Sequence, residues 1–377
     1  MKVLISGASM AGLCAAYWFA RLGHQVTVVE RADGLRHGGA PIDVRGQALG
    51  TAERMGILGQ IQAQKVSILE PSPVLDGHGV QVASLDLRWF ANETDEDVEI
   101  ARDRLNQILL DAVPDSVDMH FSSAIAALND GPAGAEVTLR DGRRELYDLV
   151  VGADGLHSNV RKLAFGPEHQ FVRHFGYYVA LVNLPPQRSW ARGMLNIPGL
   201  TVVVRDAGDG PQAMMLAASA QIDYDYRDHG AQRTLIAGFL SRVQAWQVPA
   251  IAQAFTDPQA QGFYFDSVSQ THMPSWTQGH VAVIGDAGHC AALLSGMGTT
   301  LAMVAAEALA TTWTEHGCDL QAASPAYHER LRPYVTQCQA FAHEGAPIMV
   351  PATQEALDAR NAMFREYAEK FAAQSAT

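Results

Sequence analysis

The chain has 377 residues, 48% of them hydrophobic and 18% charged, with a formal net charge of −13 at pH 7. That length accommodates two cores, since single domains run to about 100–200 residues, and the composition excludes a disordered or fibrous chain. The acidity excludes a phosphate-backbone partner, so no nucleic acid is expected.

Met1-Lys2 and the apolar stretch to Ala20 have the outline of a secretory leader, but Gly7 and Gly12 interrupt it and it runs directly into a second strand. Lys2–Ser6 reads as a buried parallel strand and residues 10–22 as a helix, with Leu13, Ala16, Tyr17 and Ala20 at helical spacing. Cys14 is a small core residue of that helix, and Gly23 is its stop. Residues 26–29 form the second strand with Glu30 at its carboxyl end, completing one βαβ unit. A turn-rich stretch from Gly34 to Gly46 precedes a helix at 47–57, loose alternation over 64–90 suggests antiparallel strands, and Asn92 to Glu99 reads as an acidic surface turn. An amphipathic helix at 103–112, capped near Asp103, leads to a third parallel-type strand at 147–151. From about 170 to 268 the texture changes. Strands at 179–182, 201–204, 213–216 and 263–265, separated by Pro, Gly and Asp turns, with a helix near 231–246, predict an inserted antiparallel sheet. Residues 281–284 return to the parallel type and an Ala-rich helix follows at 298–315. The tail is helical at 326–339 and 355–371, with Leu357, Phe364, Tyr367 and Phe371 packing onto the body.

No run reaches the roughly 18 apolar residues of a membrane span. The cysteines Cys14, Cys290, Cys318 and Cys338 are widely spread with no CxxC pair. Reduced thiols in a cytoplasmic protein are expected, with neither a metal site nor a disulfide frame.

Three motifs carry chemistry. The first is Gly7-Ala8-Ser9-Met10-Ala11-Gly12, with Glu30 eighteen residues beyond. In a dinucleotide site the first glycine makes the strand-to-helix turn, the second admits the pyrophosphate and the third lets helix and strand pack. Ser9 takes the second position with a side chain small enough to clear a phosphate and a hydroxyl to donate, and Glu30 fits the acid that holds an adenosine ribose. Ser6-Gly7-Ala8-Ser9 is also similar to the opening of short-chain dehydrogenases, but those need Tyr and Lys four apart and no Tyr here has that partner. The second motif is Asp148-Leu149-Val150-Val151-Gly152-Ala153-Asp154-Gly155-Leu156-His157-Ser158-Asn159-Val160-Arg161. The third is Gly285-Asp286-Ala287-Gly288-His289, continuing to Ser295-Gly296-Met297-Gly298.

With these motifs in this order the chain resembles the single-component, class A FAD-dependent aromatic monooxygenases, and within them the tetracycline-inactivating, antibiotic-resistance enzymes. The resemblance spans nearly the whole chain, is strongest at 2–31, 99–109, 148–161 and 279–310, and gives no readable signal over 165–270. It implies an α/β fold: a Rossmann-type FAD-binding domain (1–63, 92–165 and 270–315), an inserted antiparallel-sheet substrate domain (64–91 and 166–269) and C-terminal helices (316–377). It implies FAD held by Gly7, Ser9, Met10, Ala11, Gly12 and Glu30, with Asp286 after Gly285 at a ribityl hydroxyl. Gly296, Met297 and Gly298 would begin a helix facing the flavin pyrimidine, where its dipole stabilises the reduced anion. Arg102, in Glu99-Ile100-Ala101-Arg102-Asp103-Arg104-Leu105, takes the place of an arginine that reaches the flavin. Asp154 either serves FAD and the nicotinamide cofactor together or organises the strand end. Arg31 stacks at the adenosine end or is solvated, and Asp43 and Arg45, after Gly38-Gly39, lie in a loop beside the ring.

The implied reaction takes NADPH or NADH as a transient co-substrate and O₂. It hydroxylates a small aromatic or polycyclic substrate through a flavin C4a-hydroperoxide, the flavin rather than a side chain performing the chemistry. Met214, Met215, Phe263 and Leu294 are candidate substrate contacts; core packing explains them equally. His289 is expected to be structural. The family's proline after that histidine is missing, since the chain reads Cys290-Ala291-Ala292-Leu293-Leu294, which leaves the pocket geometry and substrate class open. A halogenase is excluded, because Trp246-Gln247-Val248-Pro249 is the nearest approach to its Trp-x-Trp-x-Ile-Pro stretch. A non-hydroxylating flavin reductase and a ligand-sequestering flavoprotein stay open, as does the choice of monomer or dimer.

Overall fold

The computed structural model describes residues 1–35, 40–66, 71–86, 97–207 and 210–375; Gly38-Gly39 and most of the 92–99 turn lie outside them, and Phe371 lies outside the described side chains. A six-stranded sheet runs in the order Thr277–Gln278, Val281–Val283, Leu149–Gly152, Lys2–Ser6, Gln25–Val29, Asp118–His120, antiparallel only at its first pair. Its central strands are apolar on both faces because helices cover both, the pattern of a doubly wound sheet. The apparent leader is part of this core: Lys2–Ser6 is a central strand, and the helix Met10–Arg21 behind it is buried over most of its length, Cys14 included.

The second sheet has seven strands in the order Tyr264–Thr271, Val172–Asn183, Pro211–Ala218, Leu200–Asp206, Gly193–Ile197, Ser72–Leu75, Gln81–Leu85. It is antiparallel except where Gly193–Ile197 meets Ser72–Leu75. Alternation sorts its side chains onto two faces. Tyr178, Ala180, Val202, Ala213, Met215 and Phe265 point back against the helices His229–Leu240 and Val248–Thr256. Val179, Leu181, Met214, Leu216 and Val268 point forward and pack with Ala292, Ala342 and Val350. The chain is therefore α/β, a Rossmann-type nucleotide half joined to an antiparallel-sheet half and followed by C-terminal helices. Among the described residues no helix is long and apolar enough to cross a membrane.

Several elements depart from the sequence prediction. The strand Gly193–Ile197 and the helix Val248–Thr256 were not expected. In that helix Pro249 sits in the first turn, where a missing N–H is harmless. The tail helix predicted at 326–339 extends over Leu320–Met349, with Pro325, Pro333 and Pro347 inside it. Each proline weakens a helix locally. Here one continuous buried stripe, Leu320, Ala323, Tyr327, Leu331, Val335, Cys338, Ala342 and Ala346, holds the helix against the body along its length.

Candidate active site

Four adjacent parallel strands end at one edge of the first sheet, and a predicted site residue follows each: Gly7 after Lys2–Ser6, Glu30 after Gln25–Val29, Asp154 after Leu149–Gly152, and Gly285-Asp286 after Val281–Val283. Ligands of such sheets bind outside the carboxyl ends of the strands. Gly7 turns the chain at φ +109°, and a Cβ there would collide with the Ala153 carbonyl; a Cβ on Gly12 would collide with the Gly7 carbonyl. A Cβ on Gly285 (φ +60°) would come within 2.9 Å of Ala11 Cβ, so the first and third motifs touch directly.

The Glu30 carboxylate accepts from the N–H groups of Ala8 and Ala32, each at 2.9 Å, which fixes it beside the glycine turn. Arg31 beside it is exposed. Ser9 is the N-cap of Met10–Arg21, but its side chain makes no capping bond and no acid stands in the first turn. The helix Gly298–Glu315 likewise begins at Met297 without a side-chain cap or a first-turn acid. A side chain on Gly298 would meet nothing within 4 Å. Both helices thus begin with uncompensated amide dipoles, and they meet at Gly285, whose Cβ position lies 2.9 Å from Ala11 Cβ and 4.0 Å from Ala302 Cβ, a pairing suited to an anionic ligand.

Asp43 and Arg45 form an ion pair at 2.6 Å. A Cβ on Gly296 would stand 3.5 Å from the Asp43 carboxylate and 3.9 Å from Arg45 Cζ, so this pair abuts the start of the second helix. Arg102 opens the helix Arg102–Ala112 close enough to act electrostatically on Asp286, which is exposed. Asp154 is turned inward, accepting from Ser158 Oγ at 2.5 Å, Asn159 N–H at 2.8 Å and Val160 N–H at 3.1 Å. It organises its loop, in which Gly155 adopts φ +83° with open space where a side chain would be.

The candidate substrate contacts divide. Met214 and Leu294 lie on the forward face of the second sheet. Met215 and Phe263 lie on the back, Met215 fully buried among the helices and Phe263 against Arg233 and His229, because one residue along a strand reverses the side chain. They do not line the forward face. The chain's periodicity missed the polar residues there: Arg205 bonds Gln212 Oε1 at 3.3 Å within electrostatic reach of Glu99 and Asp43, and burial lowers its pKa while those carboxylates oppose the shift. Without the family's proline, Cys290–Leu294 turns at Ala292, which adopts φ +72°. Side-chain amides hold the turn: Gln270 donates to the Ala291 carbonyl at 3.2 Å and Gln339 to the Cys290 carbonyl at 3.2 Å. His289 is buried edge-on to Trp276, its pKa lowered to about 4 by desolvation.

The FAD binding domain family matches residues 1–344. The chain belongs to this family of FAD-dependent monooxygenases. Its flavin-monooxygenase relatives include a flavin-dependent monooxygenase of Legionella longbeachae serogroup 1 (strain NSW150), 31% identical, covering 90% of this chain and 87% of that protein. An uncharacterized Mycobacterium tuberculosis protein (strain ATCC 25618 / H37Rv) is 36% identical, covering 94% of this chain and 95% of the relative. Among solved structures it is similar to the tetracycline destructase Tet(51), with a TM-score of 0.84 and 30% identity, covering 97% and 96% of the two chains. The protein is an FAD-dependent oxidoreductase, and the residues present fit the cofactor: Gly7, Gly12 and Gly285 let the first and third motifs pack closely at the strand ends, and two helices begin there without side-chain caps.

In this flavin monooxygenase the loop of the second motif is tied to the substrate sheet by His157. Its Nδ1 lies 3.0 Å from Glu168, its Nε2 3.2 Å from Asp266, and its ring stacks on Tyr226 at 4.0 Å. Desolvation alone would lower the His157 pKa, but the two carboxylates outweigh it and raise it to about 9. A raised folded-state pKa stabilises the fold fully below the unfolded value of about 6.5, and that contribution, at most about 3 kcal/mol, is lost as pH rises through the folded value. Thermal melts of the wild type should therefore fall in midpoint between about pH 7 and about pH 10, and those of His157→Gln should fall less. Parallel profiles for the two proteins would contradict the pairing.

Proposed function

We propose that the protein is an NAD(P)H- and O₂-dependent monooxygenase that oxygenates an aromatic or polycyclic, tetracycline-like small molecule. The observation that carries this reading is the common sheet edge at which Gly7, Glu30 and Gly285-Asp286 follow parallel strands, with two helices starting there uncapped. Further support comes from the likeness to a tetracycline destructase over nearly the full length of both chains. In this reading residues 1–63, 92–165 and 270–315 form the cofactor half, 64–91 and 166–269 the substrate half, and 316–377 the closing helices.

Bound FAD supplies the redox chemistry, accepting hydride from NAD(P)H and activating O₂. Met10, Ala11 and Gly12 direct helix-end amides at the pyrophosphate, with Ser9 as a side-chain donor. Glu30 holds the ribose and Asp286 a ribityl hydroxyl. Arg102 and the amides beyond Gly296 and Met297 offset negative charge at the ring, and Arg45 borders it. The substrate lies against Val179, Leu181, Val203 and Met214, an apolar wall that keeps water from the reacting centre. Arg205, held by the buried Gln212, orients its polar edge. A merely structural Arg205 would leave kinetics unchanged, whereas a substrate anchor predicts that Arg205→Gln raises KM about tenfold with kcat within about threefold. Steady-state kinetics with tetracycline as probe distinguish the two.

The primary test is the purified protein itself. It should carry a flavin absorbance, release FAD on denaturation and consume NAD(P)H faster when tetracycline is added. Isotope-labelled O₂ should leave label in the product. Protein that folds yet refuses FAD would overturn the cofactor assignment. Substrate-stimulated reduction without label would leave a non-oxygenating flavin reductase, and tetracycline binding without NAD(P)H consumption would leave a sequestering protein.

A further inference from the structure

The second motif contains a group that the proposed chemistry does not use. His157 presents both ring nitrogens to carboxylates, Nδ1 to Glu168 at 3.0 and 3.1 Å and Nε2 to Asp266 at 3.3 and 3.2 Å. Only an imidazolium donates from both nitrogens, so this arrangement calls for a cation. The surroundings fix it from every side among the described residues. Tyr226 stacks on the ring and Arg227 lies over Tyr226, Tyr224 and Tyr264 donate to Asp266, and Arg161 donates to Glu168. Asp266 sits on the forward face of the substrate sheet with its side chain 9% exposed, on the strand Tyr264–Thr271 that meets the third motif: Cys290 Sγ donates to the Ser269 carbonyl at 3.3 Å and Thr271 Oγ1 to the Asp286 carbonyl at 2.9 Å.

We propose that His157 is a positioning residue for the flavin site, a fixed cation that cancels the charge of Asp266 on the strand behind the third motif and so sustains binding of the anionic cofactor. The inference rests on the FAD reading above. The His157 cation is the counter-charge for a carboxylate on the strand behind the third motif, and the ligand proposed for that motif is itself anionic. Removing it leaves Asp266 uncompensated, and a single charge acting across about 10 Å at protein-like permittivity changes affinity roughly tenfold.

The experiment is an equilibrium titration of the apoprotein with FAD from about pH 7 to about pH 10, followed by flavin fluorescence, in four proteins: wild type, His157→Gln, Asp266→Asn and the double variant. Wild-type affinity should fall roughly tenfold as His157 loses its proton, and His157→Gln should show that loss already at about pH 7. Asp266→Asn should bind FAD with little pH dependence, and adding it to His157→Gln should restore affinity to within about threefold of wild type, which a purely structural role would not do. A flat wild-type profile, wild-type affinity in His157→Gln, or failure of the double variant to recover would each overturn the inference. If His157→Gln does not fold, the wild-type and Asp266→Asn profiles decide, since identical pH dependence in the two rejects the charge argument. Folded wild type that binds no FAD at any pH defeats the flavin reading instead.

Discussion

A Gly12→Val protein should purify without yellow colour and require at least about 100-fold more FAD for half-saturation, a loss of about 2.7 kcal/mol. A Cβ at this position collides with the Gly7 carbonyl and lies 3.5 Å from Ala153 Cβ. The helix Met10–Arg21 must therefore move away from the strand end that aims it. Its first-turn amides then miss the phosphates, and the Gly285–Ala11 contact that joins the first and third motifs opens. Overpacking of this kind costs about 1–3 kcal/mol of stability, less than the roughly 5–15 kcal/mol by which folded proteins are stable, so the fold should survive, with a lower melting midpoint, while the cofactor is lost. Gly12→Ala should show the same defect more weakly. The measurement is FAD titration of the apoprotein alongside a circular dichroism melt, and a fully yellow Gly12→Val protein would remove the basis for the glycine assignment.

Arg161→Met should destabilise the protein by about 3–5 kcal/mol, the range seen when one partner of a buried ionic network is removed. Arg161 is fully buried. Its Nη1 donates to the Ala287 carbonyl at 2.9 Å, and its Nη2 donates to the Leu156 carbonyl at 2.6 Å and to Glu168 at 3.2 Å. Methionine fills similar space but leaves buried carbonyls of the second and third motifs unpaired, each at about 1–3 kcal/mol. Because those motifs supply Gly155 and Asp286, FAD retention should fall together with the melting midpoint. Arg161→Lys should recover only part of the loss, since an ammonium lacks the planar fork that reaches carbonyls in different directions. Differential scanning calorimetry of the apo and FAD-loaded proteins checks this, and an unchanged midpoint in Arg161→Met would show that the two motifs hold together without it.

The cofactor half was readable because its signals are local. Gly7, Gly12 and Glu30 occupy fixed offsets along one βαβ unit, and backbone sterics at each glycine act within a few residues of chain. The substrate half was less readable, because sheet position is set by partners far away in sequence. Gly193–Ile197 is short and flanked by proline and glycine turns, and becomes a strand by pairing with Leu200–Asp206 on one side and Ser72–Leu75 on the other. The full length of Leu320–Met349 was hidden by three prolines that a buried stripe overrides. Met214 and Met215 look alike in the chain, yet strand register sends one forward and the other back.

The sequence by itself determined the family, the Rossmann-type start and the glycines and acids that follow its parallel strands, since each depends on neighbours within one turn or one strand. Tertiary structure alone decided which distant residues come together around the strand ends. The Arg45–Asp43 pair against Gly296, Arg205 within reach of Glu99 and Asp43, and the His157–Asp266 tie all join segments about a hundred or more residues apart. Such contacts are set by packing and by the pairing of buried charges, neither of which leaves a periodic mark in the chain.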